Sequence, residues 1–267
     1  MISVAINGTE VRTAEDQTIL QAARAAGVGI PTLCQHEALS PYGSCRLCVV
    51  EIVRRGKSRI VTSCNHPVEK GMEVFTHSPK ILAHRKMLLE LLLARCPDVP
   101  IVKAMARQAG IEKPRFAQSQ KSDCILCGLC VRACEERMGA SAISFVNRGT
   151  DEDVGTAFDI SSETCIGCGA CASVCPTGAI SFEMVQGLTK IDKFNTAKQV
   201  HVCPSCNRPY TTALHVDWIE NRLGAKAAAA AMCVDCKRAQ NAYGVRVAHS
   251  FKGEGFYERA HGRNGVS

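Results

Sequence analysis

The sequence predicts an α+β protein of small modules in series rather than one large hydrophobic core. Three observations predict it. Of 267 residues, 17 are cysteine, and sixteen of these fall into four groups of four. The first group follows two short alternating runs and an amphipathic helix, and further strand-like runs interleave with it. The second and third groups repeat one another. Modules this short cannot bury enough apolar surface alone, so each needs a staple.

Disulfides are the first candidate staple, and the sequence speaks against them. Met1–Gly8 alternates like a strand, with no basic n-region or apolar stretch of a secretory signal. The paired arginines, Arg54 and Arg55, lie well inside the chain. The longest apolar run, Met87 to Ala94, is short and broken by Glu90, so no membrane span is expected. The reading is a soluble, cytoplasmic protein whose cysteines bind metal. The formal charge of +7 counts cysteines as neutral. Sixteen thiolates on four metal centres at about −2 each would bring the sum to about −1. The basic balance then vanishes, and with it the case for a nucleic-acid partner.

Residues 1–78 read as a β-grasp [2Fe–2S] ferredoxin-like domain. Strands are expected at Ser3–Asn7 and Glu10–Thr13, then a helix over Thr18–Ala26 closed by Gly27. Val49–Val53 and Arg59–Thr62 are two more strands. Among them lie Cys34, Cys45, Cys48 and Cys64, spaced C-x10-C-x2-C-x15-C. Plant-type ferredoxins run C-x4-C-x2-C…C, so the first gap here is longer. Gly43 lets the loop backbone approach sulfide. A four-cysteine zinc site is the alternative.

Residues 121–190 carry the strongest signal. Cys124, Cys127, Cys130 and Cys134 read C-x2-C-x2-C-x3-C; Cys165, Cys168, Cys171 and Cys175 repeat it at an offset of 41, ending in Pro176. This is the run of a two-[4Fe–4S] ferredoxin, in which the fourth cysteine serves the other cluster. Cys124, Cys127, Cys130 and Cys175 are thus assigned to one [4Fe–4S] cluster, and Cys165, Cys168, Cys171 and Cys134 to the second. The fourth cysteine is expected to start a helix toward the other cluster. Ala142–Phe145 and Ala179–Phe182 repeat at 37, so the first repeat holds four extra residues within Glu135–Ser141. Gly128, Gly167, Gly169 and Ala170 leave backbone N–H groups free for sulfide. The acidic run Asp151–Glu152–Asp153 reads as a solvated loop.

Residues 191–267 hold Cys203, Cys206, Cys233 and Cys236, spaced C-x2-C-x26-C-x2-C. Paired knuckles read as a closed, zinc-ribbon-like Zn site; a third [4Fe–4S] cluster is the rival. Thr212–Leu223 is expected to be helical and holds the single tryptophan, Trp218, and Ala225–Met232 extends the helical propensity. His201 and His215 read as packed or solvated side chains. The tail Phe251–Ser267, with Lys252, Arg259 and Arg263 among glycines beside Glu254 and Glu258, reads as a flexible or partner-docked end.

One cysteine is left over. Cys96 follows a helix expected over residues 79–95, with Ser78 as N-cap and Pro79 in its first turn. The last turns of that helix are apolar nearly all round, which suggests burial between modules or against a partner. Val99–Arg115 reads as a short helix ended by Gly110. Cys96 itself reads as a buried free thiol, packed like a small hydrophobe.

The combination of Ile30–Cys34, Gly43–Glu51, the leucine-rich helix Leu88–Leu93 and the runs from Cys124 to Pro176 resembles a known family. It is similar to the N-terminal iron–sulfur region of the large subunit of NADH:quinone oxidoreductase, complex I, and to the diaphorase iron–sulfur subunit of NAD-linked [NiFe] hydrogenases. The resemblance covers roughly residues 1–186. In that family a His-Pro after the leucine-rich helix, with three following cysteines, binds a further [4Fe–4S] cluster. Here the place reads Cys96–Pro97 and the C-x2-C-x5-C is missing. The resemblance therefore implies a helical linker, residues 79–120, that has lost this cluster.

No Gly-rich dinucleotide loop follows a strand; Gly27-Val-Gly29 sits after a helix. No nucleophile–base set stands out. The implied function is an iron–sulfur electron-transfer subunit of a soluble oxidoreductase complex, with no substrate site of its own. Its partners would be a flavoprotein NAD(P)H-dehydrogenase-type subunit and a second catalytic subunit, such as a [NiFe] hydrogenase or a formate dehydrogenase. Its cofactors would be one [2Fe–2S], two [4Fe–4S] and one Zn. A redox-sensing or assembly module that binds partners through the C-terminal zinc knuckles is the alternative.

Overall fold

The computed structural model describes residues 1–116, 121–224 and 231–251. They gather into two compact units, one of residues 1–165, 169–182 and 191–196, the other of 166–168, 183–190 and 197 onward.

The first unit opens with β1 (Ile2–Ile6) and β2 (Thr9–Thr13), an antiparallel hairpin in register Ile6↔Thr9. Asn7 and Gly8 both take positive φ, 51° and 82°, the turn that matches the twist of paired strands. Helix α1 (Ile19–Ala25) starts at Thr18, whose hydroxyl accepts from the Gln21 N–H while the Gln21 side chain accepts from the Thr18 N–H. This reciprocal cap satisfies two otherwise orphan donors. Ala26, not Gly27, is the C-cap; Gly27 follows in the left-handed region at φ 73°. Strands β3 (Val49–Arg54), β4 (Lys57–Thr62) and β5 (Glu73–Phe75) complete a sheet of order β2-β1-β5-β3-β4. The β1–β5 pair is parallel and the rest are antiparallel. The central strand β5 gives no signal in the sequence, because three residues are too short for a period; pairing on both sides defines it. Val4, Ile6, Ile19, Leu20, Val50 and Val74 pack helix to sheet. This is the β-grasp arrangement.

Helix α2 (Pro79–Arg95) begins at Ser78, whose Oγ accepts from the Ile81 N–H at 3.4 Å. Its buried stripe is Ile81, Arg85, Leu89 and Leu93, at a spacing of four. The opposite face exposes Met87 and Leu91, and near the helix start Leu82 is exposed as well. The helix is thus one-sided rather than buried all round, and two of its buried residues, Arg85 and Glu90, are charged. Helix α3 (Pro100–Gln108) ends at Ala109, with Gly110 at φ 68°. Leu89, Leu93, Cys96, Val99 and Val102 share one core with Leu33, Cys34, Cys45 and Leu47 on one side and Ile125, Cys127 and Leu129 on the other. The linker therefore joins the two ferredoxin-like regions through continuous apolar packing.

Helix α4 (Leu129–Arg132) runs into a π-helical turn, Ala133–Arg137. Strands β6 (Ser144–Val146) and β7 (Asp153–Gly155) pair antiparallel, and helix α5 (Ala170–Ser173) follows. Two expectations are corrected here. The fourth cysteine of each run does not start a helix: Cys134 lies in the π turn that closes α4, and Cys175 comes after α5 ends. What starts each helix is a left-handed glycine, Gly128 at φ 69° and Gly169 at φ 75°. The acidic run is not wholly a solvated loop, since Asp153 opens β7 and pairs with Lys193 at 2.7 Å.

The second unit carries most of a four-stranded sheet, β11-β10-β9-β8, from β8 (Glu183–Val185), β9 (Leu188–Ile191), β10 (Thr196–Val202) and β11 (Pro209–Thr212). Helix α6 (Ala213–Leu223) is capped by Thr212 Oγ1, which accepts from the His215 N–H at 3.2 Å. Helix α7 spans Val234–Phe251. Ala231 and Met232 form a turn and a bend rather than helix, while 225–230 and the tail beyond Phe251 lie outside the described residues. Among the described residues no helix is long and apolar enough to cross a membrane.

Candidate cluster and metal sites

Cys34, Cys45, Cys48 and Cys64 are all buried, the first three on the loop between α1 and β3 and the last just after β4. They fall into two pairs. The Cys45 N–H donates to Cys34 Sγ at 3.5 Å, and a thiol–thiol hydrogen bond from Cys45 pulls the Cys34 pKa down while pushing its own up. Cys48 and Cys64 repeat this, with Cys48 lowered by the Cys64 thiol and Cys64 raised in turn. Arg85 is a buried cation beside this site. Its Nε, Nη1 and Nη2 donate to the carbonyls of Leu47, Thr76 and Val49 at 3.0, 2.9 and 2.7 Å. Among the described residues no carboxylate forms an ion pair with it. Burial lowers its pKa and the Cys48 thiolate opposes that. A buried guanidinium without a carboxylate is costly unless an anion is near, so its setting fits an anionic thiolate cluster.

Cys124, Cys127, Cys130 and Cys175 line one cavity, with Ile125, Val154, Ala179 and Ile180 as its apolar walls and Lys193 at its edge. Three thiols from one run and the last thiol of the other thus face a shared space. Burial pushes Cys127 up to about 11 and Cys130 up to about 12. At Cys175 burial is outweighed by the Thr177 hydroxyl and by the N–H groups of Thr177, Ala179 and Gly178, so its pKa falls. Of the other set, Cys134 and Cys171 belong to the same buried cluster, and the Ala142 N–H donates to Cys134 Sγ at 3.2 Å. Burial raises Cys134, with backbone N–H groups opposing and the Cys165 thiol adding to it. Cys165 and Cys168 are half-buried, and Cys168 falls in the second unit.

The duplication also shapes the turns. A Cβ on Gly128 would meet the Phe145 ring at 3.2 Å, and one on Gly169 would meet the Phe182 ring at 2.6 Å. Each repeat closes its cysteine turn with the phenylalanine of its own Ala-Ile-Ser-Phe segment.

The C-terminal group is different. The sulfurs of Cys203, Cys206, Cys233 and Cys236 all lie within 4.8 Å of one another, and Cys206 and Cys233 are 3.7 Å apart. Among the described residues no other set of three or more His, Cys, Asp or Glu gathers so closely. The Cys233 N–H donates to Cys203 Sγ at 3.3 Å and Arg208 Nε to Cys206 Sγ at 3.5 Å. The Cys203 pKa is drawn down to about 6, first by that Cys233 N–H. Neither histidine joins: His201 Nε2 lies 3.0 Å from the Ala231 carbonyl, and His215 Nδ1 lies 2.7 Å from Thr211 Oγ1.

Cys96 is fully buried in the linker core, and burial raises its pKa to about 11. Val99, Val102 and Ala106 belong to the same core.

Sequence reasoning does not find the charged groups around these sites. Arg85, Arg132 and the Glu90–Arg115 pair, whose Nε–Oε2 distance is 2.9 Å, bond partners between 9 and 98 positions away, and none of these distances is a helix or strand spacing that would announce them.

Comparison with known proteins agrees with this layout. Residues 1–79 match a 2Fe-2S iron-sulfur cluster binding domain, and residues 123–179 match a 4Fe-4S dicluster domain. The chain is 35% identical over 230 residues to NADPH-Fe(3+) oxidoreductase subunit alpha of Geobacter sulfurreducens, covering 77% of this chain and 27% of that one. It is 34% identical to an NADH-quinone oxidoreductase subunit of Rhizobium meliloti, over 77% of this chain and 27% of that one. It is 33% identical to NADP-reducing hydrogenase subunit HndD of Solidesulfovibrio fructosivorans, over 72% of this chain and 39% of that one. The chain therefore spans about a quarter to two-fifths of the length of these relatives. Among solved structures, a chain of an NAD+-reducing [NiFe]-hydrogenase in the H2-reduced state superposes with TM-score 0.59 at 29% identity, over 73% of this chain and 90% of that one. By these matches the chain is homologous to iron–sulfur subunits of NAD(P)-linked oxidoreductases and hydrogenases, and it joins a 2Fe-2S cluster binding domain to a 4Fe-4S dicluster domain.

Proposed function

We propose that this chain is an iron–sulfur electron-transfer subunit. It would relay single electrons between a flavin-containing NAD(P)H-oxidising subunit and a second catalytic subunit, a hydrogenase, a formate dehydrogenase or a similar low-potential reductase. The observation that carries the reading is the single core holding Cys34 and Cys45 together with Cys127. A relay needs its centres held rigidly near one another, and continuous close packing does that.

The donor sets fit the groups. Two thiol pairs, Cys34 with Cys45 and Cys48 with Cys64, suit a two-iron centre in which each iron takes two thiolates. Cys124, Cys127, Cys130 and Cys175 around one cavity suit a [4Fe–4S] cluster, and Cys165, Cys168, Cys171 and Cys134 are assigned to a second. When bound, such clusters supply one-electron redox chemistry at low potential, near about −400 mV for a plant-type [2Fe–2S] centre. The chain's own part is to hold the thiolates, exclude water with Ile125, Val154 and Ile180, and present N–H groups at Cys34, Cys134 and Cys175. Such bonds favour the more negative, reduced state.

For the C-terminal site the reading is zinc. A tetrahedral Zn–S bond of about 2.3 Å places sulfurs about 3.8 Å apart, close to the 3.7 Å between Cys206 and Cys233. A cubane ties each thiolate to a different iron and spreads them wider. The domains are accordingly proposed as 1–78, the linker 79–120, 121–190 and 191–267.

Metal analysis and EPR of anaerobically purified protein test this. The reading requires about ten irons and about one zinc per chain, with separate [2Fe–2S] and [4Fe–4S] signals on stepwise reduction. About fourteen irons without zinc would replace the zinc by a further cluster, and fewer than about ten would sink the three-cluster relay.

A further inference from the structure

Two stretches of this chain are longer than their templates. The gap between Cys34 and Cys45 holds ten residues where the plant-type spacing has four. The first cubane repeat holds four residues more than the second, within Glu135–Ser141. In the structure the two insertions meet. The Ser40 N–H donates to Glu136 Oε2 at 2.8 Å, joining one insertion to the other.

Beside that bond stands Arg132, between Cys130 and Cys134 and only 8% exposed. Its Nη2 donates to the Cys34 carbonyl at 2.9 Å and its Nη1 to the Ser40 carbonyl. The guanidinium lies over the Tyr42 ring at 5.4 Å. Ser44 Oγ donates to the Leu126 carbonyl at 2.9 Å. Leu126 is left-handed at φ 53°, a conformation a bulky residue holds only when its surroundings impose it. The Nε of Arg132 is a buried donor with no partner among the described residues. Leaving such a donor unpaired is costly, and thiolate or sulfide of a bound cluster would remove that cost.

We propose that these insertions form a built dock between the [2Fe–2S] loop and the first cubane run, with Arg132 as its positioning residue. The inference rests on the cluster assignment above. Arg132 does two things here. Its planar fork bridges two carbonyls of the ligand loop while its own backbone belongs to the cubane helix, so it sets the separation of the two centres. Its charge, buried where the dielectric is low, favours the reduced and more negative state of the neighbouring [2Fe–2S] centre. The linker cluster of the resembled family is absent by sequence, and this dock would hold the two remaining sites in register without it.

The test uses the full chain, loaded anaerobically, as wild type, Arg132→Met, Arg132→Lys and Ser44→Ala. Three quantities are read: iron and sulfide content, the [2Fe–2S] midpoint by EPR titration, and the relaxation broadening of its signal when the nearest cubane is reduced. Arg132→Met should keep its iron, lower the reduced-to-oxidised ratio at the wild-type midpoint about tenfold, or 59 mV for one electron, and weaken the broadening. Arg132→Lys should restore the ratio to within about threefold and leave the broadening weak, because an ammonium keeps the charge and loses the fork. Ser44→Ala should weaken the broadening with the midpoint unmoved. An Arg132→Met protein with full iron, wild-type midpoint and wild-type broadening overturns the proposal. If Arg132→Met cannot hold its clusters, wild-type broadening in both other variants overturns it instead. A wild-type protein without distinct [2Fe–2S] and [4Fe–4S] signals would sink the underlying assignment, which is a different failure and is visible before any variant is made.

Discussion

The thiols at 203–236 and those around Cys124 share the same C-x2-C spacing yet build opposite kinds of site. The first four converge until every sulfur lies within 4.8 Å of the others. The second four, Cys124, Cys127, Cys130 and Cys175, stand around a cavity with apolar walls. The backbone explains the difference. In the second unit Cys233 donates its N–H straight to Cys203 Sγ, drawing the two knuckles together. In the cubane runs a left-handed glycine follows each second cysteine and starts a short helix, which carries the next cysteine away from the turn. Spacing tells that thiolates will gather; the turn that follows tells whether they close on one ion or open around a cluster.

The sharpest way to break this comparison is to remove one thiolate from each site. Cys203→Ser should take zinc from about one per chain to near zero while about ten irons remain, and should unfold the surrounding knuckles, since a structural zinc contributes on the order of 10 kcal/mol. Cys175→Ser should do the reverse, losing about four irons and keeping the zinc. Iron lost with Cys203 would show that the convergent site also holds a cluster. Metal analysis on the two purified variants decides it.

Arg85→Met asks how far the site of Cys34, Cys45, Cys48 and Cys64 depends on groups beyond its thiolates. It leaves the carbonyls of Leu47, Val49 and Thr76 without their donors, which should cost about 2–5 kcal/mol. Denaturant unfolding of the loaded protein measures this, and a change under about 1 kcal/mol would mean that water replaces the guanidinium. The two cubane turns can be compared in the same way. Gly169→Ala forces a Cβ to 2.6 Å from Phe182 and should destabilise by about 2–3 kcal/mol. Gly128→Ala meets Phe145 at 3.2 Å and should cost about 1–2 kcal/mol, mostly for its positive φ. Equal losses, measured as shifts in Tm, would mean that the phenylalanines do not shape the turns. The smallest effect belongs to Cys96→Ala: about 1 kcal/mol for a small buried cavity, with iron content unchanged. Any loss of iron would make Cys96 a ligand after all.

Much of the molecule is legible in the residues. The hairpin at Asn7–Gly8, the capping box at Thr18, the start of α2 at Ser78–Pro79 and the duplicated cysteine runs are local signals, each acting over a few positions. Local chemistry determines such features because the interacting groups are neighbours in the chain. Strand β5 is hidden for the opposite reason. Its three residues have no period of their own and become a strand only because β1 and β3 flank them. The burial of Arg85, whose carbonyl partners are up to 38 positions away, is hidden too, as is the meeting of two insertions at Ser40 and Glu136, 96 positions apart. By itself the sequence determined which thiols exist, how they are grouped and that Cys96 has no other cysteine near it. The tertiary structure alone decided which thiols converge, which surround a cavity and which buried cations stand beside them, because those depend on long-range packing that no local pattern encodes.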